Sequence, residues 1–249
     1  MRAPVDHIAA PPFPRGLTWL NSEGGGPDPV IEPGRPMLVE FWDFCRPQSI
    51  RTLPYLKAWH ERYPELKVIG VHASGFPPSA DPEAVQTAVA RLEIPYPVAI
   101  DAEYEVWELY GNLGWPGRYL FDRRGMLLHF HYGEGAYLET EEAIQELLEA
   151  STAPLEPFRP EEAPDAHLEP QSDDVEGPYS GPYQAGAVWA VLDGTGTVRA
   201  NGRPIAVEHP GCYELITHPR STAGELTLEL DDEVTCHAVC FTPGLNPAG

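Results

Sequence analysis

The side chains in this chain that could do redox or metal chemistry are few and unevenly placed. Cys45 stands alone in the first half, while Cys212, Cys236 and Cys240 fall within the last forty residues. Four cysteines in 249 residues are too sparse for a disulfide scaffold. A thiol attacks as its thiolate, and a second thiol within reach lets it cycle through a disulfide. No Cys-x-x-Cys occurs. Cys236 and Cys240, with Cys212 and His218, offer zinc-ligand types. The strand expected over 234 to 241 puts Cys236 and Cys240 on the same side but far apart along it, whereas zinc ribbons take their ligands from tight turns. The expectation is therefore no metal, with three buried thiols or a disulfide from Cys212 to one of the other two. His129 and His131 alternate along one strand and form half a metal site without a third ligand, so a half-exposed strand face is expected there. No phosphate-cradling glycine loop, Ser-His-Asp order or carboxylate pair stands out, and no cofactor is expected.

Composition narrows the classes further. Acidic residues number 38 against 16 basic ones, a formal net charge of -22. Such a chain repels phosphate backbones and anionic lipid surfaces, which argues against nucleic-acid and membrane partners. With 42% hydrophobic residues, a packed core is within reach. No run of about 18 apolar residues occurs, so no transmembrane helix is expected. Residues 1 to 14 have no apolar stretch of signal-peptide type, and a cytoplasmic location is the expectation.

The elements that must position Cys45 follow from periodicity. Residues 1 to 35 form a Pro- and Gly-rich lead-in with a Gly24-Gly25-Gly26 run. Met37 to Trp42 is a short apolar run of buried-strand type. From Ser49 a helical pattern sets Ile50, Leu53, Leu56, Trp59 and Tyr63 near one face, with a kink expected at Pro54. Lys67 to Val71 is a second strand. Asp81-Pro82 caps and opens a helix running to about Leu92. Tyr96 to Ile100 is a strand, and Asp101 is placed to cap a helix over 102 to 110. Arg118 to Phe121 and Met126 to Tyr132 form a hairpin about a turn at Asp122 to Gly125. Thr140 to Ala150 is an amphipathic helix. This alternation predicts an α/β domain over 36 to 150, its sheet covered by helices on both faces. Residues 151 to 182, acidic and proline-rich, read as an extended linker. From Gln184 the pattern is all strand, with turns at Asp193-Gly194 and Asn201-Gly202. It predicts a small β-sandwich or barrel over 183 to 249.

Leu38-Val39-Glu40-Phe41-Trp42, Ile50 to Leu56, Val68 to His72, and Trp115-Pro116 followed by Tyr119 to Asp122 resemble the thioredoxin-like domain of the TlpA-like, redoxin-type thiol–disulfide oxidoreductases. The subgroup at the C-terminus of DipZ-type cytochrome-biogenesis proteins is the most similar, and there a small β-sandwich follows the thioredoxin domain. Relatives of this kind are often extracytoplasmic. The resemblance implies a thioredoxin fold and a Cys-x-x-Cys at the start of the first helix. Counted without gaps, that motif occupies Arg46-Pro47-Gln48-Ser49, and neither cysteine is present. A slip of one residue gives Cys45-Arg46-Pro47-Gln48, a one-cysteine version with Pro47 where thioredoxins often have proline. Otherwise Cys45 is a small buried hydrophobe. The resemblance also makes Pro116 a cis-proline and Glu40 the buried acid, whose pKa burial would raise. Trp42, Arg46, Pro47, Gln48, Ser49, Trp115 and Pro116 become the candidate peptide groove.

Two functions from different classes follow. One is a redox-inactive thioredoxin-fold protein that binds a peptide or protein partner. The other is a one-cysteine thiol reductase or peroxidase using Cys45. The peroxidase form is disfavoured, because Trp42 stands where the peroxiredoxin pattern has threonine. A third, carbohydrate binding by the C-terminal domain, rests on fold analogy alone.

Overall fold

Met37–Trp42 (β2) is buried along its whole length, Glu40 included, as a strand covered on both faces must be. The computed structural model in which it sits describes residues 1–3, 8–22, 32 and 34–247. The Gly24-Gly25-Gly26 run lies outside the described residues. The chain divides into two compact units. The first comprises Met1–Asp43, Gln48–Gly75 and Ala80–Glu156, and the second Phe44–Pro47, Phe76–Ser79 and Pro157–Gly249.

In the first unit the elements are β1 (Thr18–Leu20), β2, α1 (Pro47–Arg62), β3 (Lys67–His72), α2 (Pro82–Arg91), β4 (Val98–Ile100), α3 (Glu105–Tyr110), β5 (Gly117–Phe121), β6 (Leu127–Tyr132) and α4 (Tyr137–Leu148). The six-stranded sheet has the order β1-β4-β3-β2-β5-β6. The β2–β3 and β3–β4 pairs are parallel, and the remaining pairs antiparallel. This is the mixed central sheet of a thioredoxin fold. One face packs Val39, Phe41, Ile69, Val71 and Phe121 against Val106, Trp107 and Tyr110. The other buries Leu38, Trp59, Tyr55 and Leu56.

Local chemistry sets the element ends. Pro47 supplies the first helical residue of α1, where its missing N–H is no loss, and the helix runs on through Pro54. At α2 the Asp81 carboxylate accepts from the Glu83 N–H at 3.0 Å. Helix α3 starts later than expected. Residues 102 and 103 form a turn and Tyr104 takes a left-handed φ of 58°, so the Asp101 carboxylate bonds the N–H groups of Val106 (3.0 Å) and Trp107 (2.8 Å). The lead-in is more ordered than its composition suggests. β1 pairs with the outer edge of β4, and Ala3 and Ile8 bond the backbone of β6 through Leu128 and Leu127.

The second unit is β-rich. Its strands are β7 (Leu168–Glu169), β8 (Val175–Glu176), β9 (Gly181–Gly194), β10 (Gly196–Ala200), β11 (Arg203–Val207), β12 (Gly211–Leu226), β13 (Leu228–Leu230), β14 (Val234–Thr242) and β15 (Gly244–Leu245). They form sheets ordered β12-β9-β14-β8, β11-β10-β13 and β15-β7. Val188, Ala190, Leu192, Val198, Val207, Leu215, Val239 and Phe241 share one core between the larger sheets. The segment read as a linker contributes β7, β8 and a single 3-10 turn at Pro160–Glu162. β12 runs as one long strand through register shifts at 214–216 and 217–222.

Candidate functional site

Between β2 and α1 the chain has only four residues, 43 to 46, in which to end a strand and start a helix. Asp43 lies at the end of β2 and is fully buried. Its carboxylate accepts from the Gly75 N–H at 2.7 Å, and its own N–H donates to the Ser49 hydroxyl at 3.2 Å. Ser49, at the gap-free position of the second motif cysteine, is thus turned inward and buried. Trp42 is buried edge-on to His72, with ring centroids 5.2 Å apart. His72 Nε2 lies 3.7 Å from Asp43 Oδ1. Neither Asp43 nor His72 stands out as a site residue in the sequence, where His72 only closes the Val68 to His72 run. Their signal is the parallel register that sets Trp42 opposite His72, which cannot be read from either residue's neighbours.

Cys45 has no exposed surface and is joined to no other cysteine. Arg46, at the gap-free position of the attacking thiol, places its guanidinium 5.0 Å from the centroid of the Phe76 ring. Pro47 is buried, and Gln48, half-buried, accepts the Thr52 hydroxyl on its backbone carbonyl at 2.8 Å. The Trp115–Pro116 peptide bond is cis. Trp115, half-buried, packs against Trp107 at 4.4 Å and donates its indole N–H to the Ala73 carbonyl at 2.8 Å.

Glu40 is held within the sheet. Arg118, its antiparallel register partner on β5, donates Nε to one carboxylate oxygen at 2.9 Å and Nη2 to the other at 3.4 Å. The same guanidinium donates to the Thr140 hydroxyl at 3.1 Å and lies over the rings of Trp59 and Tyr137. Burial pushes the Glu40 pKa up against the pull of Arg118. Arg118 is a residue that sequence reasoning missed. Its signal was one cation within an otherwise apolar strand.

The cysteines of the second unit correct one expectation. A bulge in β14 pairs Cys236 with Leu192 and Ala238 with Val191, which reverses the facing of every residue after it. Cys236 therefore shares the sandwich core with Val239 and Phe241, and Cys240 does not. The two thiols do not face the same side. Burial pushes the Cys236 thiol up to about 11 and Cys240 higher still, with Asp174 adding to the second. Neither is a ready nucleophile. Cys212 is only partly buried, where a third buried thiol was expected. Among the described residues no group of three or more His, Cys, Asp or Glu is placed to hold a metal ion. His129 also departs from the expected half-exposed face. It is buried, and its imidazole is pushed down to about 4, first by that burial. Among the described residues no helix is long and apolar enough to cross a membrane.

Comparison with known proteins reaches between half and three-fifths of the chain. No family model matches the chain. It is 35% identical over 150 residues to the protein DipZ of Mycobacterium tuberculosis, covering 59% of this chain but 22% of DipZ. The chain thus spans about a fifth of that relative's length. It is 25% identical over 131 residues to the thiol-disulfide oxidoreductase YkuV of Bacillus subtilis, covering 52% of this chain and 87% of YkuV. Among solved structures, a thioredoxin-like protein in its oxidized form superposes with a TM-score of 0.51 at 23% identity, over 58% of this chain and 97% of its own.

Proposed function

From the premise that the chain belongs, through its first unit, to the thioredoxin-like thiol–disulfide oxidoreductase family, we propose that this protein uses the fold to bind a peptide or protein partner and does not turn over disulfides. The supporting observation is the state of the motif segment: Arg46 and Ser49 stand at the two gap-free thiol positions, and Cys45, the thiol next to them in the chain, has no exposed surface. Reduction of a substrate disulfide begins when a thiolate attacks one sulfur and the other sulfur leaves as a thiolate. A mixed disulfide remains, and its release needs a second thiol. Ser49 offers a hydroxyl that already accepts the Asp43 N–H, and Arg46 offers no nucleophile. Glu40, the acid that serves such a thiol in the family, is occupied by Arg118.

The rival reading, a one-cysteine enzyme, has one observation in its favour. Helix α1 begins at Pro47, two residues after Cys45, which matches a proline inside a motif starting at Cys45. An insulin-reduction assay with dithiothreitol separates the two. The binding reading expects no rate above background and no change in Cys45→Ser. It also expects slow maleimide labelling of Cys45 in the native protein and fast labelling in urea. Robust reduction that disappears in Cys45→Ser overturns it in favour of the one-cysteine enzyme.

A further inference from the structure

Beside α3 an open cleft of about 410 Å³ is lined by Pro14, Glu105, Glu108 and Leu109, a size in the range of ligand pockets. Glu105, Glu108 and Leu109 fall at i, i+3 and i+4 and so share one side of the helix, while Pro14 comes from the lead-in. Leu109 is 51% exposed and Leu113, just beyond the helix, 79%. Large apolar side chains this exposed are uncommon among the described residues, and these two lie four residues apart. Neither Glu105 nor Glu108 forms an ion pair with a described residue. Arg15 follows Pro14 in the chain but does not line the cleft.

We propose that this cleft docks a basic, partly apolar peptide segment, one lysine or arginine side chain lying in it with its stem on Leu109 and Pro14 and its charged head between Glu105 and Glu108. The proposal rests on the binding reading above and names its partner's chemistry. Long cationic side chains combine the two properties the walls ask for, an apolar stem and a charged tip. An apolar partner alone would leave two carboxylates desolvated without a counter-charge, which is costly. An acidic partner would be repelled here and by the chain's net charge of -22.

The test is fluorescence anisotropy of a labelled short peptide with two leucines and two lysines, titrated with the full-length protein at low and high salt. A second peptide carries glutamine in place of each lysine. The lysine peptide is expected to bind, to weaken with salt, and to bind at least about tenfold more tightly than the glutamine peptide. The Glu105→Gln/Glu108→Gln variant should lose about tenfold in affinity, and Leu109→Ser a smaller factor. Glu229→Gln/Asp232→Asn makes the same change of charge at exposed positions of the second unit and should bind as the parent does. Equal losses in both double variants would mean attraction by net charge alone and overturn the proposal, and so would no binding. Binding that persists in Glu105→Gln/Glu108→Gln overturns the cleft while leaving a binding protein, whose redox inactivity the insulin assay tests separately.

Discussion

Strand β2 and the helix entry that follows it adjoin in sequence and differ in what fixes their residues. Leu38 to Trp42 matches the family pattern and lies in the middle of the sheet, where every side chain is buried and Glu40 meets Arg118 in register. Counted without gaps, residues 45 to 49 match it only in starting a helix. Pro47 is enough for that, since its fixed φ suits the first helical residue whatever stands on either side. A central strand is constrained by two packed faces and two hydrogen-bonded neighbours. A redox motif is constrained by its chemistry, and the helix entry needs none of that chemistry to form.

The largest effect expected to sharpen this contrast is qualitative. Placing two thiols at the gap-free positions, in Arg46→Cys/Ser49→Cys, should give a chain that forms an internal disulfide under mild oxidation, seen as loss of two reactive thiols in urea. Gln48→Cys, which creates a Cys-x-x-Cys with Cys45, should not. The reverse result would place the motif one residue earlier and make Cys45 its first member.

The next effect lies on the β2 side. Arg118→Met leaves Glu40 buried without its cation, and removing one partner of a buried pair costs about 3–5 kcal/mol. Urea denaturation should show a loss of that order. Glu40→Leu/Arg118→Met should recover most of it, because no unpaired charge is then buried at that register. A double variant as unstable as the single one would mean that Arg118 matters chiefly through its packing on Trp59 and Tyr137.

What could be read from the sequence follows the same division. The apolar run of β2, the Asp81-Pro82 entry to α2, the turn at Asp122 and the Asn201-Gly202 hairpin each carry their signal within a few residues, and each is where it was expected. β1 has only Thr18-Trp19-Leu20 in a Pro- and Gly-rich stretch, and it exists because β4 offers an edge to pair with. The α3 start, the bulge at Cys236 and the pairing of Asp43 with His72 depend on a backbone turn or on register, to which composition and periodicity are blind. At the site, the cis bond at Pro116 and the buried Glu40 came through the family resemblance. Arg118 could be found only by aligning two strands.

A smaller effect on stability should appear with pH at β6. The His129 imidazole sits at about 4 in the folded chain and at about 6.5 when unfolded. The unfolded state therefore binds the extra proton first. The stability tied to this group is complete above about pH 6.5, declines as the pH falls, and is lost by about pH 4, to a limit of about 3 kcal/mol. Other groups titrate in the same window, so the measurement is a difference. His129→Gln should flatten the stability profile between pH 6.5 and 4 relative to the parent. An unchanged slope would mean the ring is protonated in the folded sheet and that β6 does not hold it neutral.

The smallest effect is expected in the second unit, where family resemblance gives least guidance and the hairpin between β10 and β11 must stand on its own turn chemistry. Asn201 and Gly202 take φ of 49° and 78°, the left-handed pair of a two-residue hairpin turn that Asn-Gly favours. Asn201 does more than tolerate this backbone. Its amide donates to the Glu225 carbonyl at 2.9 Å and its side-chain oxygen accepts the Thr227 N–H at 2.7 Å. Asn201→Ala removes both bonds and a residue suited to left-handed φ, at a cost of about 1–2 kcal/mol. At Gly202 an added Cβ would meet nothing within 4 Å, so Gly202→Ala carries only the conformational penalty, about 1 kcal/mol. Thermal unfolding should therefore rank Asn201→Ala as the more destabilising of the two. If Gly202→Ala cost more, the two exposed hydrogen bonds of Asn201 would be trading evenly with water, and the register of β10 on β11 would rest on the glycine's backbone freedom alone.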